Sequence, residues 1–233
     1  MKVLAIETAT SMHSVAVLED GVVLARSDER AEGAHAKHLV PTIDRLLQAC
    51  RLSLADLHGI AVSIGPGSFT GLRVALATAL GFRSATGLPI AAVPTLEAMA
   101  WHCRDSAYQL CPVIPARAGE VYWAQYQWKA DGLHTIMEAR VGTLAMLVQS
   151  LENPVMVLGE GGRLHRSELR NLLGSRKDRI VDAPGATAPS AVAVGMAGLD
   201  RLTRGLVAPP GLAPLYVQRA EADLAWERRH VSP

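Results

Sequence analysis

Apolar positions along this chain alternate between two periods. KVLAIET (2–8), HSVAVLED (13–20) and VVLARSDE (22–29) are short runs with strand character, and Asp20-Gly21 between the last two predicts a hairpin turn. In HAKHLVPTIDRLLQAC (35–50) the period lengthens, so that Leu39, Ile43, Leu46, Leu47 and Cys50 share one helical face. Pro41 marks either a kink or that helix's true first turn. A strand GIAVSIG (59–65), a helix over 71–86, a strand LPIAAV (88–93) and a helix TLEAMAWHC (95–103) follow. The order is βββαβαβα.

The second half returns to the same order. LCPVIPAR (110–117), EVYWAQYQW (120–128) and the weaker LHTIMEARV (133–141) predict three strands. A helix near 143–151, a strand PVMVLG (154–159), a helix around 163–173, a strand DRIVDA (178–183) and a helix SAVAVGMAGLDRLTRG (190–205) complete it, before a Pro-rich tail. This predicts an α/β fold of two duplicated lobes, 1–106 and 107–233, with the actin-like (ASKHA, RNase H-like) architecture shared by sugar kinases. The boundary falls near 104–109, where the apolar pattern breaks. In that architecture nucleotide sits between the lobes.

Composition narrows the function. With 233 residues, 49% of them hydrophobic and 19% charged, the chain has enough apolar surface for a sizeable core and little scope for long disorder. Aromatics are scarce at 4%, which favours helices packed closely on sheets. A net charge of +1 provides no overall field to draw in nucleic acid or an anionic membrane. A local basic run, Arg163, Arg166, Arg170, Arg176, Lys177 and Arg179, reads first as a solvated helix face and second as an RNA contact. Cys50, Cys103 and Cys111 lack framework spacing and suit reduced thiols in a cytoplasmic protein. MKVLAIETATS reads as a strand and not a signal peptide, and no segment is long enough to span a membrane.

The stretch GPGSFTGLR (65–73) sits between a strand and a helix, where proteins often hold phosphate. It lacks the lysine of a GxxxxGK[ST] loop. Gly65 and Gly67 allow a sharp turn around Pro66, and Ser68 or Thr70 can cap the following helix. An ATP-using protein of this architecture would also need strand-end acids for magnesium. Glu7 supplies one, and Thr8, Thr10 and Ser11 add hydroxyls; these, with Gly65, Gly67 and Ser68, form a candidate vestigial nucleotide or anion site. The matching turn of the second lobe, IPARAGE (114–120), has Pro115 where an acid is wanted.

Small residues on helix 71–86 form two rows: Gly71, Ala75 and Ala79, and Ala77, Gly81 and Ala85. Such rows let helices approach closely. One row should pack on the lobe's own sheet. The other, with Leu72, Leu76 and Phe82, would meet a partner beside Leu39, Ile43 and Leu46 of helix 35–50, unless both rows are internal; Ala75 and Ala79 are the small residues expected at that interface. His35 and His38 have zinc-compatible spacing but no third ligand nearby in sequence, so we expect no metal site. Glu97 and His102 would make an acid–base pair only if the fold joined them. No GxSxG, HExxH or CxxC is present.

AIETATSMHSVAVLEDG, HAKHLVPTIDRLL, SIGPGSFTGLRVALATALG, PARAGEVYWAQY and PLYVQR together resemble the bacterial TsaB (YeaZ) family, along the chain from Met1 to about Trp226. The resemblance implies a non-catalytic relative of the TsaD (Gcp/Kae) threonylcarbamoyl transferase, active in making N6-threonylcarbamoyladenosine in tRNA. It implies pairing with TsaD, with the ATPase TsaE joining that pair, contact with tRNA only through the complex, and homodimers in isolation. No cofactor of its own is implied. The transferase's metal histidines lie in a HMEGH stretch that aligns with TLEAM (95–99), so Thr95 and Met99 stand in place of both ligands. Family members often carry an IDAR turn where this chain has IPAR, which weakens the case for ATP between its lobes.

Overall fold

The computed structural model describes residues 1–30, 35–117, 119–183 and 188–217, without the side chains of His35 and Ala36. The first lobe opens with strands β1 (Lys2–Glu7), β2 (Met12–Glu19) and β3 (Val22–Arg30). Asp20 (φ 49°) and Gly21 (φ 84°) both take positive φ in the β2–β3 turn, as an Asp-Gly hairpin requires. Helix α1 (His35–Ala49), β4 (Gly59–Ser63), α2 (Phe69–Thr86), β5 (Ile90–Val93) and α3 (Thr95–Ala100) follow. Pro41 lies inside α1 on its exposed side.

The second lobe repeats the plan: β6 (Gln109–Pro115), β7 (Val121–Lys129), β8 (Gly132–Gly142), α4 (Leu144–Gln149), β9 (Val155–Leu158), α5 (Gly159–Leu164), α6 (Arg166–Leu173) and β10 (Ile180–Asp182). The helix expected around 163–173 is therefore two, broken at His165. One sheet has the order β3-β2-β1-β4-β5 and the other β10-β9-β6-β7-β8, so equivalent strands occupy equivalent places. β1 pairs antiparallel with β2 and parallel with β4; β6 does the same with β7 and β9. Two five-stranded mixed sheets with this order are the actin-like duplicated fold expected from the pattern.

The last helix, α7 (Ala191–Thr203), departs from the expected division at 106/107. It packs on the first lobe's sheet, where Ala191, Val194 and Ala197 share a core with Val3, Ala5, Ala16, Leu18, Ala61 and Ala91. Alanine on both sides sets this choice. A Cβ at Gly198 would strike that of Ala61, so the helix lies close on the sheet. Residues 206–217 also run along the first lobe: Ala208 N–H donates to Ile90 O (2.7 Å) and Leu215 N–H to Ile64 O (2.7 Å). Sequence order thus overstates the second lobe. The tail beyond Val217 lies outside the described residues.

The opposite face of the first sheet buries Leu4, Ile6, Val15, Val17, Ile60 and Val62 under α1 and α2. The second lobe's core gathers around Trp123, Val113, Leu147 and Leu169. Among the described residues no helix is long and apolar enough to cross a membrane.

Candidate functional site

The glycine-rich loop packs on protein, not on open space. Ser68 N–H donates to Ala9 O (2.6 Å), and Ser68 Oγ caps α2 by accepting from Gly71 N–H (3.2 Å). Thr8 Oγ1 donates to Gly71 O (2.8 Å). A Cβ at Gly67 would collide with Ala9 O, and one at Gly71 with Thr8 O. These glycines let two backbones touch. The backbone of Thr8 and Ala9 thus lies directly against the loop and the first turn of α2.

Glu7, at the end of β1, is fully buried. Its Oε1 accepts from the Ala9 amide, and its strand neighbours in register are Ser14 on β2 and, one step past Ile6–Val62, Ser63 on β4. Burial pushes the carboxyl up to about 7; the Ala9 amide and Ser63 hydroxyl offset this only in part. A carboxyl closed off in this way cannot reach a solvated magnesium ion. Of the other candidate anion residues, Thr10 Oγ1 accepts from Met12 N–H (3.2 Å), and only Ser11 is exposed. The sequence-predicted set Glu7, Thr8, Thr10, Ser11, Gly65, Gly67 and Ser68 is brought together as a packed junction.

The expected partner residues need a larger correction. Leu39, Ile43, Leu46, Leu72, Ala75, Leu76 and Ala79 are all buried in the first lobe's core, and Phe82 packs half-buried against it. The sheet beneath α1 and α2 takes their most apolar side, because it buries the most surface there. The second small row faces outward: Ala77, Gly81 and Ala85 are exposed, and a Cβ at Gly81 would meet nothing within 4 Å. Val40 (49% exposed) and Phe69 (47%) are the large apolar side chains left open on these helices.

The tail joins this face. Arg83 donates to the carbonyls of Ala208 (3.3 Å), Pro209 (3.1 Å) and Pro210 (2.8 Å), which straps the tail to the C-terminal end of α2. At the other end Tyr216 packs against Phe69 (ring centroids 5.8 Å apart), and Arg73 lies over the Phe69 ring (3.8 Å) while donating to Tyr216 Oη (3.3 Å). Phe69 and Arg73 thus hold the tail at the N-terminal end of α2. The segments GPGSFTGLR and PLYVQR, 143 positions apart at Arg73 and Tyr216, meet there. Arg83 and Tyr216 were missed from the sequence because this contact has no local signal.

Between the lobes lies a cavity of about 330 Å³ that includes Ser11, Arg30, Glu160, Arg163, Arg166 and Asp182. Its acids are already paired: Glu160 with Arg163 (3.7 Å), and Asp182 with both Arg166 and Arg170 (3.0 Å to the latter). The basic cluster is therefore partly spent on internal pairs, and Arg179 donates to Leu151 O (2.7 Å).

The family model described as TsaD, tRNA N6-adenosine threonylcarbamoyltransferase, matches residues 10–226. The tRNA threonylcarbamoyladenosine biosynthesis protein TsaB of Bacillus subtilis is 30% identical over 97% of this chain and 98% of its own length. The chain belongs to the TsaB (YeaZ) family. Among solved structures, an uncharacterized protein with similarity to peptidase YEAZ from Pseudomonas aeruginosa matches with a TM-score of 0.79, 25% identity, and coverage of 93% of this chain and 99% of its own. The (R)-2-hydroxyglutaryl-CoA dehydratase component A of Acidaminococcus fermentans, 10% identical with a TM-score of 0.53 over 87% of this chain and 99% of its own, shares the fold alone.

Within this TsaB-family chain the two positions that the resemblance sets against the transferase's metal histidines are Thr95 and Met99. Thr95 and Met99 are fully buried, and Met99 packs with Leu96, Leu110 and Ile114. Among the described residues no group of three His, Cys, Asp or Glu is placed to hold a metal. The donor set present does not fit one. His38 is exposed, and the His35 side chain lies outside the described residues. Glu97 and His102 do not form an acid–base pair: Glu97 binds Arg201 (2.7 and 2.8 Å), and His102 Nε2 lies 3.1 Å from Ala188 O.

Proposed function

We propose that this protein is a non-catalytic scaffold subunit of a tRNA threonylcarbamoyladenosine assembly, binding and stabilising a TsaD-type transferase. The observation that carries this reading is the outward row Ala77, Gly81 and Ala85 on α2, a flat ridge that a second helix can approach closely. The Phe69–Arg73–Tyr216 stack continues the row along α2 with apolar surface and one guanidinium, and Val40 is exposed on α1. The same ridge would pair two copies of the chain when no TsaD is present. A TsaE-type ATPase joins the TsaD pair, tRNA is met only through the complex, and the assembly is cytoplasmic.

The enzyme alternative, an ATP-using kinase or ATPase, has the inter-lobe cavity in its favour and the chemistry against it. Glu7 is enclosed, and Glu160 and Asp182 are held by arginines. The deciding experiment is size-exclusion with light scattering on this protein, alone and mixed with TsaD of the same species. Wild type forms a one-to-one complex, and Ala77→Glu loses it at unchanged helical content. A variant that still binds TsaD as wild type does would place the interface elsewhere.

A further inference from the structure

A second pocket, of about 350 Å³, lies where α3 and α7 of the first lobe meet the β7–β8 hairpin of the second. That volume suits a small ligand. Trp101 and Trp128 stand edge to face on its wall, centroids 5.0 Å apart at 84°, and Tyr126 lies beside them. A chain with four Trp, four Tyr and two Phe has thus placed three of its aromatics around one hollow. The Arg104 guanidinium sits 5.6 Å and 5.7 Å from the two indole centroids.

Charge selects the ligand. Each carboxylate on this wall already has a basic partner: Glu97 has Arg201 (2.7 Å), Asp200 has Arg204 (3.2 Å), and Asp131 has His134 (2.7 Å). No carboxylate among the described residues pairs with Arg104, which leaves one positive charge to answer. A cation with no carboxylate partner, held beside two indoles at an open pocket, fits a planar anion.

We propose that this pocket is a nucleotide site, in which Arg104 meets the phosphate and the Trp101–Trp128 pair the base. It is separate from the inter-lobe cavity beside Ser11 and Arg163, and it requires neither Glu7 nor a metal. The nucleotide is either free or one residue of an RNA strand.

The test uses the full chain, with AMP, inorganic phosphate and a uridine heptamer as probes, read by tryptophan fluorescence and calorimetry. AMP or the heptamer quenches fluorescence saturably, phosphate competes weakly, and Arg104→Ala weakens binding at least tenfold with an unchanged melting temperature. Trp128→Phe keeps the fold while reducing the quench. Heptamer binding ten times tighter than AMP assigns the site to RNA; equal or weaker binding assigns it to free nucleotide. The proposal is overturned if neither probe binds. It is also overturned if binding survives Arg104→Ala but is lost in Arg163→Ala, which would move it to the inter-lobe cavity.

Discussion

Helix α2 carries two rows of small residues whose fates are opposite. Gly71, Ala75 and Ala79 face the sheet and the 8–10 turn, where backbone meets backbone; Ala77, Gly81 and Ala85 face away, with open space beyond Gly81. Smallness means different things on the two sides. Inward, it is a steric requirement set by atoms already in place. Outward, it leaves a groove-free ridge available to a helix of another chain. Residue type alone does not distinguish the two.

The largest expected effect tests the inward side. Gly71→Ala puts a methyl group against the Thr8 carbonyl and should cost about 3 kcal/mol, the upper range for overpacking a close-fitted site. Urea unfolding measures it, and a loss under about 0.5 kcal/mol, the size of an ordinary surface change, would mean the two backbones are not in contact.

Glu7 beneath that junction gives a pH signature of similar size. Its folded pKa is raised, so the unfolded chain releases the proton first as pH rises. Stability is therefore full below about 4.5 and falls until about 7, where the folded carboxyl also ionises. That interval corresponds to a loss of at most about 3 kcal/mol. Glu7→Gln should remove this decline, seen as a melting temperature nearly level from acid to neutral pH. A wild-type profile already flat there would contradict the burial.

Arg83→Ala should release the tail for about 1 kcal/mol, since its three carbonyl contacts are partly exposed. Faster amide exchange at Ala208 and Leu215 is the sharper readout. The smallest effect lies on the outward side. Gly81→Ala should stabilise the isolated chain by about 0.5–1 kcal/mol through helix propensity alone. Opposite signs for Gly71→Ala and Gly81→Ala, on one helix, would establish the comparison; equal signs would break it.

Much of the fold was legible because periodicity follows burial on one side. The hairpin at Asp20-Gly21, both βββαβαβ runs and the helix after GPGSFT come from local pattern and turn chemistry. Helix 190–205 was also recognisable as a helix, but not its destination. Its Ala and Gly composition permits close packing on either sheet, and only the first offers the matching small residues Ala5, Ala16, Ala61 and Ala91. The candidate site was legible as a set of residues and misread as a surface. Leu39, Ile43, Leu46, Leu72 and Leu76 looked suited to a partner because they are the most apolar positions, which is why the lobe's own sheet takes them.

The sequence by itself determined the elements, their order, the duplicated plan and the glycines at which backbones cross, because these depend on residue spacing and on the lack of a side chain. Tertiary structure alone decided which small row was spent inside, where α7 and the tail returned to, and which aromatics gathered around Arg104. Those outcomes depend on surfaces distant in sequence competing for the same partner, and no local pattern encodes the winner.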